Sequence, residues 1–324
     1  MTQLRDVVAA IDCGTNSTRL LVVDRLGNQL ARELTITRLG QGVDKTGRLD
    51  PGAITRTLEA LINYKRVMDS FGVSKARLVA TSAARDAANS HEFFDQVVKV
   101  TGLQVDLLDG TSEGHLSFLG ATRQLEDLEN QVLIVDIGGG STEFVAGVPR
   151  QPPKFVTSLD VGCVRMTERF LRSDPPSSIE VQSAIEFIDD LVKSVHKRAK
   201  STYSPSAFMD HRLIGLAGTV TALSSMIQGV LKYDPALTHN SVFTLEQLEA
   251  IHEELLRMKS SERSSNFNLE SGRADVIVAG SLILARLMSI LEFSQVTVSE
   301  ADILDGIAAS LLGVELVNRS ACDG

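Results

Sequence analysis

Nine residues near the start of the chain have a matching set further along, at an unvarying spacing. Ile11-Asp12-Cys13-Gly14-Thr15-Asn16-Ser17-Thr18-Arg19 aligns with Val135-Asp136-Ile137-Gly138-Gly139-Gly140-Ser141-Thr142-Glu143, each residue of the second set 124 positions beyond its counterpart. Asp, Gly, Ser and Thr recur at identical places. Each copy follows an apolar strand-like run and precedes another. Glycine lets the backbone turn sharply and approach a ligand closely. The small residues leave amide N–H groups and hydroxyls around a concavity, which suits phosphate oxygens. That makes Gly14, Thr15, Asn16 and Ser17, and Gly138, Gly139, Gly140, Ser141 and Thr142, candidate phosphate ligands. The Asp at each strand end can hold a metal, and Mg²⁺ takes few carboxylates alongside phosphate oxygens. One such copy could be an ordinary hairpin turn. Two in register imply two similar domains, and 324 residues suit two cores of moderate size.

The copies differ at their last position, Arg19 in one and Glu143 in the other. A cation there can hold phosphate, and a carboxylate can hold a metal or a water. Two solvated strand residues remain the plainer alternative.

The surrounding pattern is strand alternating with helix, an α/β fold. Strands are expected at 7–11, 19–24, 78–81, 105–108, 132–135, 213–216 and 296–298. Asp50-Pro51 reads as a helix cap followed by proline in the first turn, and Gly72 as that helix's end. Further helices are expected at 91–100, after Thr111-Ser112, up to about Lys200, at 245–258 and 274–291, and in an amphipathic tail from Asp302 to Asn318. The polar stretch 122–130 is the expected domain boundary.

Other residues carry chemistry less specifically. Glu113 lies in a first helical turn, where a carboxylate either activates water or merely favours the helix dipole. Arg85 follows a strand and small residues; it could grip phosphate bidentately or pair with Asp86. The turn Gly215-Leu216-Ala217-Gly218-Thr219 could receive phosphate at a helix N-terminus through Gly218 and Thr219, or serve tight packing. Asp160-Val161-Gly162-Cys163-Val164-Arg165 is similar and offers another arginine. Cys13 and Cys163 read as small packing residues, and the six histidines form no metal spacing, His239 marking a surface loop. A net charge of −9 argues against nucleic acid as a partner, and no apolar run is long enough to cross a bilayer. With three distant cysteines and no secretory pattern, a reducing cytoplasm is the expected setting.

Taken in order, these segments resemble the exopolyphosphatase and guanosine pentaphosphate phosphohydrolase family, within the actin, hsp70 and sugar-kinase superfamily. The resemblance runs through Asp12 to Ser17, Thr81 to Asp86, Ser112-Glu113-Gly114, Asp136 to Glu143, Gly215 to Thr219 and Val298 to Gly306. It implies two ribonuclease-H-like, actin-like domains facing across a cleft: residues 1–124 with 302–324, the last segment returning as a helix, and residues 125–301. It implies Glu113 as general base, Asp12, Asp136 and Glu143 as a magnesium-binding group, and a homodimer. The substrate it implies is inorganic polyphosphate or guanosine pentaphosphate (pppGpp). A nucleotide-dependent kinase and a non-catalytic sensor are the rival readings. The sequence departs from many relatives at Cys13, Thr15 and Ser112. It also stops short of the extra helical domains of longer relatives, which counts against processive degradation of long chains.

Overall fold

The computed structural model describes residues 6–123, 125, 130–204 and 206–314. They form two units, one running to Arg123 and resuming at Ala301, the other running from Leu125 to Glu300. Most of the expected boundary stretch, and residues 315–318 of the expected tail helix, lie outside the described residues.

In the first unit the strands are β1 (Val8–Cys13), β2 (Ser17–Val23), β3 (Gln29–Ile36), β4 (Lys75–Ala80) and β5 (Val105–Leu107). Their order in the sheet is β3-β2-β1-β4-β5. The first three form an antiparallel meander, and β4 and β5 continue in parallel. Every residue of β1 is buried, as a central strand covered on both faces requires. Its alternate side chains Ala9, Ile11 and Cys13 join Leu20 and Val22 in one core with Leu61, Met68, Phe93 and Val97, contributed by helices Pro51–Phe71 and Ser90–Thr101. Asp50 caps the first of these, its carboxylate accepting the Ala53 N–H at 3.0 Å, with Pro51 in the first turn. Val8, Ala10, Leu21 and Val23 face the other way, onto Ile303, Leu304, Ile307 and Ala308. These belong to helix Ile303–Leu311, which brings the chain back to its first unit.

The returning helix crosses helix Gly110–Thr122 at closest approach. A methyl group on Gly306 would overlap the Leu116 carbonyl, and one on Gly120 would overlap the Asp302 carbonyl. Two glycines thus let two backbones touch. The helix at 110–122 is capped by Asp109, whose carboxylate accepts the Ser112 N–H at 2.7 Å. Thr111 and Ser112, expected as the cap, lie inside the helix, because aspartate two positions earlier satisfies the free amides first.

The second unit repeats the plan. Its strands are β6 (Val132–Ile137), β7 (Thr142–Gly147), β8 (Phe155–Leu159), β9 (Arg212–Leu216), β10 (Val242–Thr244) and β11 (Gln295–Val298), in the order β10-β11-β9-β6-β7-β8. The meander β6-β7-β8 matches β1-β2-β3, and β9 and β11 continue in parallel as β4 and β5 do. The antiparallel strand β10 is an addition at the edge. Both units are ribonuclease-H-like α/β folds, the architecture expected from the sequence. Among the described residues no helix is long and apolar enough to cross a membrane.

The packing of the second unit carries a pH signature. His252, on helix Leu245–Arg257, is buried against helix Ile277–Ile290, its Nδ1 2.8 Å from the Ser281 hydroxyl. Burial pushes its pKa down from 6.5 to about 4. The unfolded chain therefore binds this proton more readily between those values. The stability from a neutral His252 is complete above pH 6.5 and is lost as pH falls toward 4, by about 3 kcal/mol. Denaturant unfolding of wild type and His252→Gln across that range should show a steeper loss in the wild type. Parallel curves would remove His252 as the cause.

Candidate active site

Both copies of the repeated motif fold into the same hairpin turn. Asp12 is the cross-strand partner of Arg19 on β2, and Asp136 is the partner of Glu143 on β7. The Gly14 N–H donates to the Ser17 carbonyl at 3.0 Å, and the Gly138 N–H to the Ser141 carbonyl, also at 3.0 Å.

Each loop is clamped from behind by the segment that follows the third strand of its meander. In the first unit the Thr15 carbonyl accepts the Gly40 N–H at 2.9 Å, and the Asn16 carbonyl accepts those of Thr37 and Arg38 at 3.2 and 2.9 Å. In the second, the Gly138 carbonyl accepts the Cys163 N–H at 3.0 Å, and the Gly139 carbonyl accepts those of Val164 and Arg165 at 2.9 and 3.1 Å. The Arg165 Nε adds a bond to the Gly140 carbonyl at 2.8 Å, and the Thr142 hydroxyl donates to the Val161 carbonyl at 2.5 Å. A Cβ on Gly40 would run into the Thr15 side chain, and one on Gly162 into the Gly139 backbone. With these loop carbonyls engaged by the protein, the loops can offer N–H groups to an anion. Gly40 and the Thr37–Gly40 segment were not found by sequence reasoning; a glycine after the third strand of each meander was the available signal.

Arg19 lies between two carboxylates. Its Nη2 and Nε donate to Asp12 Oδ2 at 2.7 and 3.1 Å, and its Nη1 donates to Asp302 Oδ2. Asp302 was not singled out from the sequence as a site residue. It caps the returning helix, its Oδ1 accepting the Leu304 N–H at 2.9 Å. The other oxygen of Asp12, Oδ1, is buried and has no hydrogen-bond partner among the described residues. Burial raises the Asp12 pKa, against the lowering effect of Arg19. An orphaned carboxylate oxygen of this kind fits a cation or a cation-held water, so Asp12 suits one ligand position of a metal. In the second unit Glu143 is buried and accepts the Ser158 hydroxyl at 2.7 Å, beside buried Asp136. Among the described residues no three His, Cys, Asp or Glu side chains gather in one place.

Arg85 and Glu113 come together. Arg85, at the end of the short helix Ser82–Arg85, donates from Nη1 to the Leu108 carbonyl at 2.7 Å and to Glu113 Oε2 at 3.2 Å. Glu113 stands in the first turn of its helix with its side chain 13% exposed. A largely desolvated carboxylate at a helix start, steadied by an arginine, can accept a proton from water.

The turn at Gly215–Thr219 combines packing with an open helix end. Gly215 abuts Val220 and Val296, so its lack of a side chain serves packing. Helix Ala217–Ile227 begins without a side-chain cap, with Ala217 in the left-handed region at φ 67°. The Gly218 carbonyl accepts Arg273 Nη1 at 2.5 Å, and the guanidinium occupies the place a Cβ would take. Thr219 hydrogen-bonds Cys163, whose thiol burial pushes up to about 11. Cys163 is therefore a protonated packing residue at neutral pH. His239, expected at a loop surface, is half-buried, its ring nitrogen 3.2 Å from the Glu300 N–H.

Comparison with known proteins identifies the family. The chain is 40% identical to exopolyphosphatase 2 of Mycobacterium tuberculosis, over 94% of this chain and 98% of that one. The crystal structure of a Ppx/GppA family member from Aquifex aeolicus superposes with a TM-score of 0.78 at 34% identity, covering 95% of this chain and 98% of that one. An exopolyphosphatase from Cytophaga hutchinsonii superposes with a TM-score of 0.86 at 25% identity, covering 96% and 100%. The model of the Ppx/GppA phosphatase family matches residues 22–315, and the chain belongs to that family.

Proposed function

We propose that this chain is a magnesium-dependent exopolyphosphatase, releasing orthophosphate from the end of inorganic polyphosphate. The observation that supports the reading is the pair of turns closed by the same glycine-to-serine hydrogen bond, each with carbonyls held by the segment that follows its meander. The likeness to an exopolyphosphatase at 40% identity supports the choice of substrate.

In this reading Gly14 to Ser17 and Gly138 to Thr142 serve one reaction, donating backbone N–H groups and hydroxyls to the terminal phosphoryl oxygens. Gly218 and Thr219 contribute the helix end beside Arg273. Glu113 takes a proton from the attacking water. The water oxygen forms the new P–O bond as the bond to the bridging oxygen breaks, and the shortened chain leaves as an anion. Arg85 holds the Glu113 carboxylate and adds positive charge. Mg²⁺, held through Asp12, Asp136 and Glu143, would neutralise charge developing on the phosphate oxygens. Positioning and charge stabilisation then supply most of the rate, as in phosphoryl transfer generally.

The test is phosphate release with Mg²⁺ from tripolyphosphate, long polyphosphate, pppGpp and ATP, measured in parallel. Release from polyphosphate well above that from either nucleotide is expected. Release mainly from pppGpp would replace the substrate, and tight binding with no turnover would make the protein a sensor.

A further inference from the structure

Arg19 occupies the place where the second repeat has Glu143, and its surroundings give it a task other than touching substrate. All three guanidinium nitrogens are engaged by carboxylates, two by Asp12 Oδ2 and one by Asp302 Oδ2. The side chain is 16% exposed, and those of Asp12 and Asp302 are 5% and 7% exposed. Asp302 is fixed in turn. Its Oδ1 accepts the Leu304 N–H, and its own N–H donates to Asp305 Oδ2 at 3.0 Å. Asp305 pairs with Arg32 Nη2 at 2.6 Å, from β3. Asp12, at the end of β1, is thus tied through β2 to the cap of the returning helix, 283 residues beyond Arg19.

The tie leaves Asp12 in one orientation. Oδ2 is held by the guanidinium fork, and Oδ1 is buried without a hydrogen-bond partner among the described residues. We infer that Arg19 is a positioning residue, a strut between Asp12 and Asp302 that aims Asp12 Oδ1 at its ligand, and that Asp302 is the strut's second anchor. The inference rests on the polyphosphatase reading for its activity and binding tests, but not for its unfolding test. A phosphate ligand and a strut make opposite predictions for lysine. Lysine can hold phosphate as a point charge, but it cannot bridge two carboxylates with a fork.

The variants are Arg19→Gln, Arg19→Lys, Asp302→Asn and the double Arg19→Gln with Asp302→Asn. Asparagine is itself a good helix cap, so Asp302→Asn keeps the fold if Arg19→Gln does not. For a strut, kcat falls about 100-fold in Arg19→Gln with KM for tripolyphosphate within about twofold of wild type. Arg19→Lys does not restore it. Asp302→Asn loses about tenfold in kcat although it touches no substrate. The double variant is no slower than Arg19→Gln alone, as for groups that act as one unit. Binding of tripolyphosphate in EDTA, followed by calorimetry, stays at the wild-type affinity in every variant. Near-normal kcat in Arg19→Lys, or weakened binding in Arg19→Gln, would overturn the strut and make Arg19 a phosphate ligand. Wild-type protein that releases phosphate from no polyphosphate would sink the functional reading instead. The strut is then decided by Tm: a double-variant loss equal to the larger single loss supports it, and a loss equal to their sum overturns it.

Discussion

Replacing Glu113 by glutamine is expected to lower kcat for polyphosphate about 10²- to 10⁴-fold, with KM close to the wild-type value. Glutamine matches glutamate in size and can still accept a hydrogen bond from Arg85, so the geometry at 3.2 Å is largely kept. What it loses is the ability to take a proton. The helix start does not depend on Glu113 either, because Asp109 supplies the cap. Unfolding measured alongside should therefore be nearly unchanged. A Glu113→Gln protein that hydrolyses polyphosphate at the normal rate would remove Glu113 as the base. A raised KM with normal kcat would make it a binding residue.

The largest expected effect on stability comes from a single methyl group. Gly306→Ala should destabilise the first unit by about 3 kcal/mol or more, at the upper end for overpacked sites. The added Cβ meets the Leu116 carbonyl, which is backbone and cannot rotate away. The two helices must separate, and the separation draws in both Asp302, the cap of one, and Glu113, on the other. Activity should fall in the fraction that remains folded. Gly313→Ala is the useful contrast. Gly313 has a positive φ of 76° but nothing within 4 Å of the added Cβ. It should cost about 1–2 kcal/mol, from backbone conformation alone. Equal losses in the two variants would show that the contact between the helices is not what Gly306 protects.

What the sequence disclosed followed from local chemistry. The two turns were legible because a glycine turn with flanking hydroxyls is built from neighbours in the chain, and two copies corroborate each other. The Asp50 cap with Pro51 was legible for the same reason. Strand β3 was not, since most of its residues are exposed and Arg32 breaks the alternation of Leu30, Leu34 and Ile36; edge strands owe their place to hydrogen bonds rather than to burial. Asp109 was passed over because Thr111 and Ser112 offer the same cap two residues later, and only the backbone path decides between them. The Arg19 to Asp302 tie was beyond reach, because nothing in a chain marks which of its many aspartates will return to one arginine. The clamps lay between these cases: Gly162 was noticed beside its arginine, but Gly40 was not, as its role depends on the carbonyl of Thr15.

The returning helix has a bearing on how this protein is made. Ile303, Leu304, Ile307 and Ala308 complete the core under β1 and β2. Strands β1 and β2 must therefore wait until the segment from Ile303 onward has been translated before one face is covered. The second unit, continuous from Leu125 to Glu300, has no such wait. At about 5–20 residues per second, the delay for the first unit is on the order of tens of seconds. Throughout it Val8, Ala10, Leu21 and Val23 lack the helix that will cover them. Chaperone demand during synthesis should fall on the amino-terminal half, and a premature stop ahead of Asp302 should yield a chain whose later half is the sounder one.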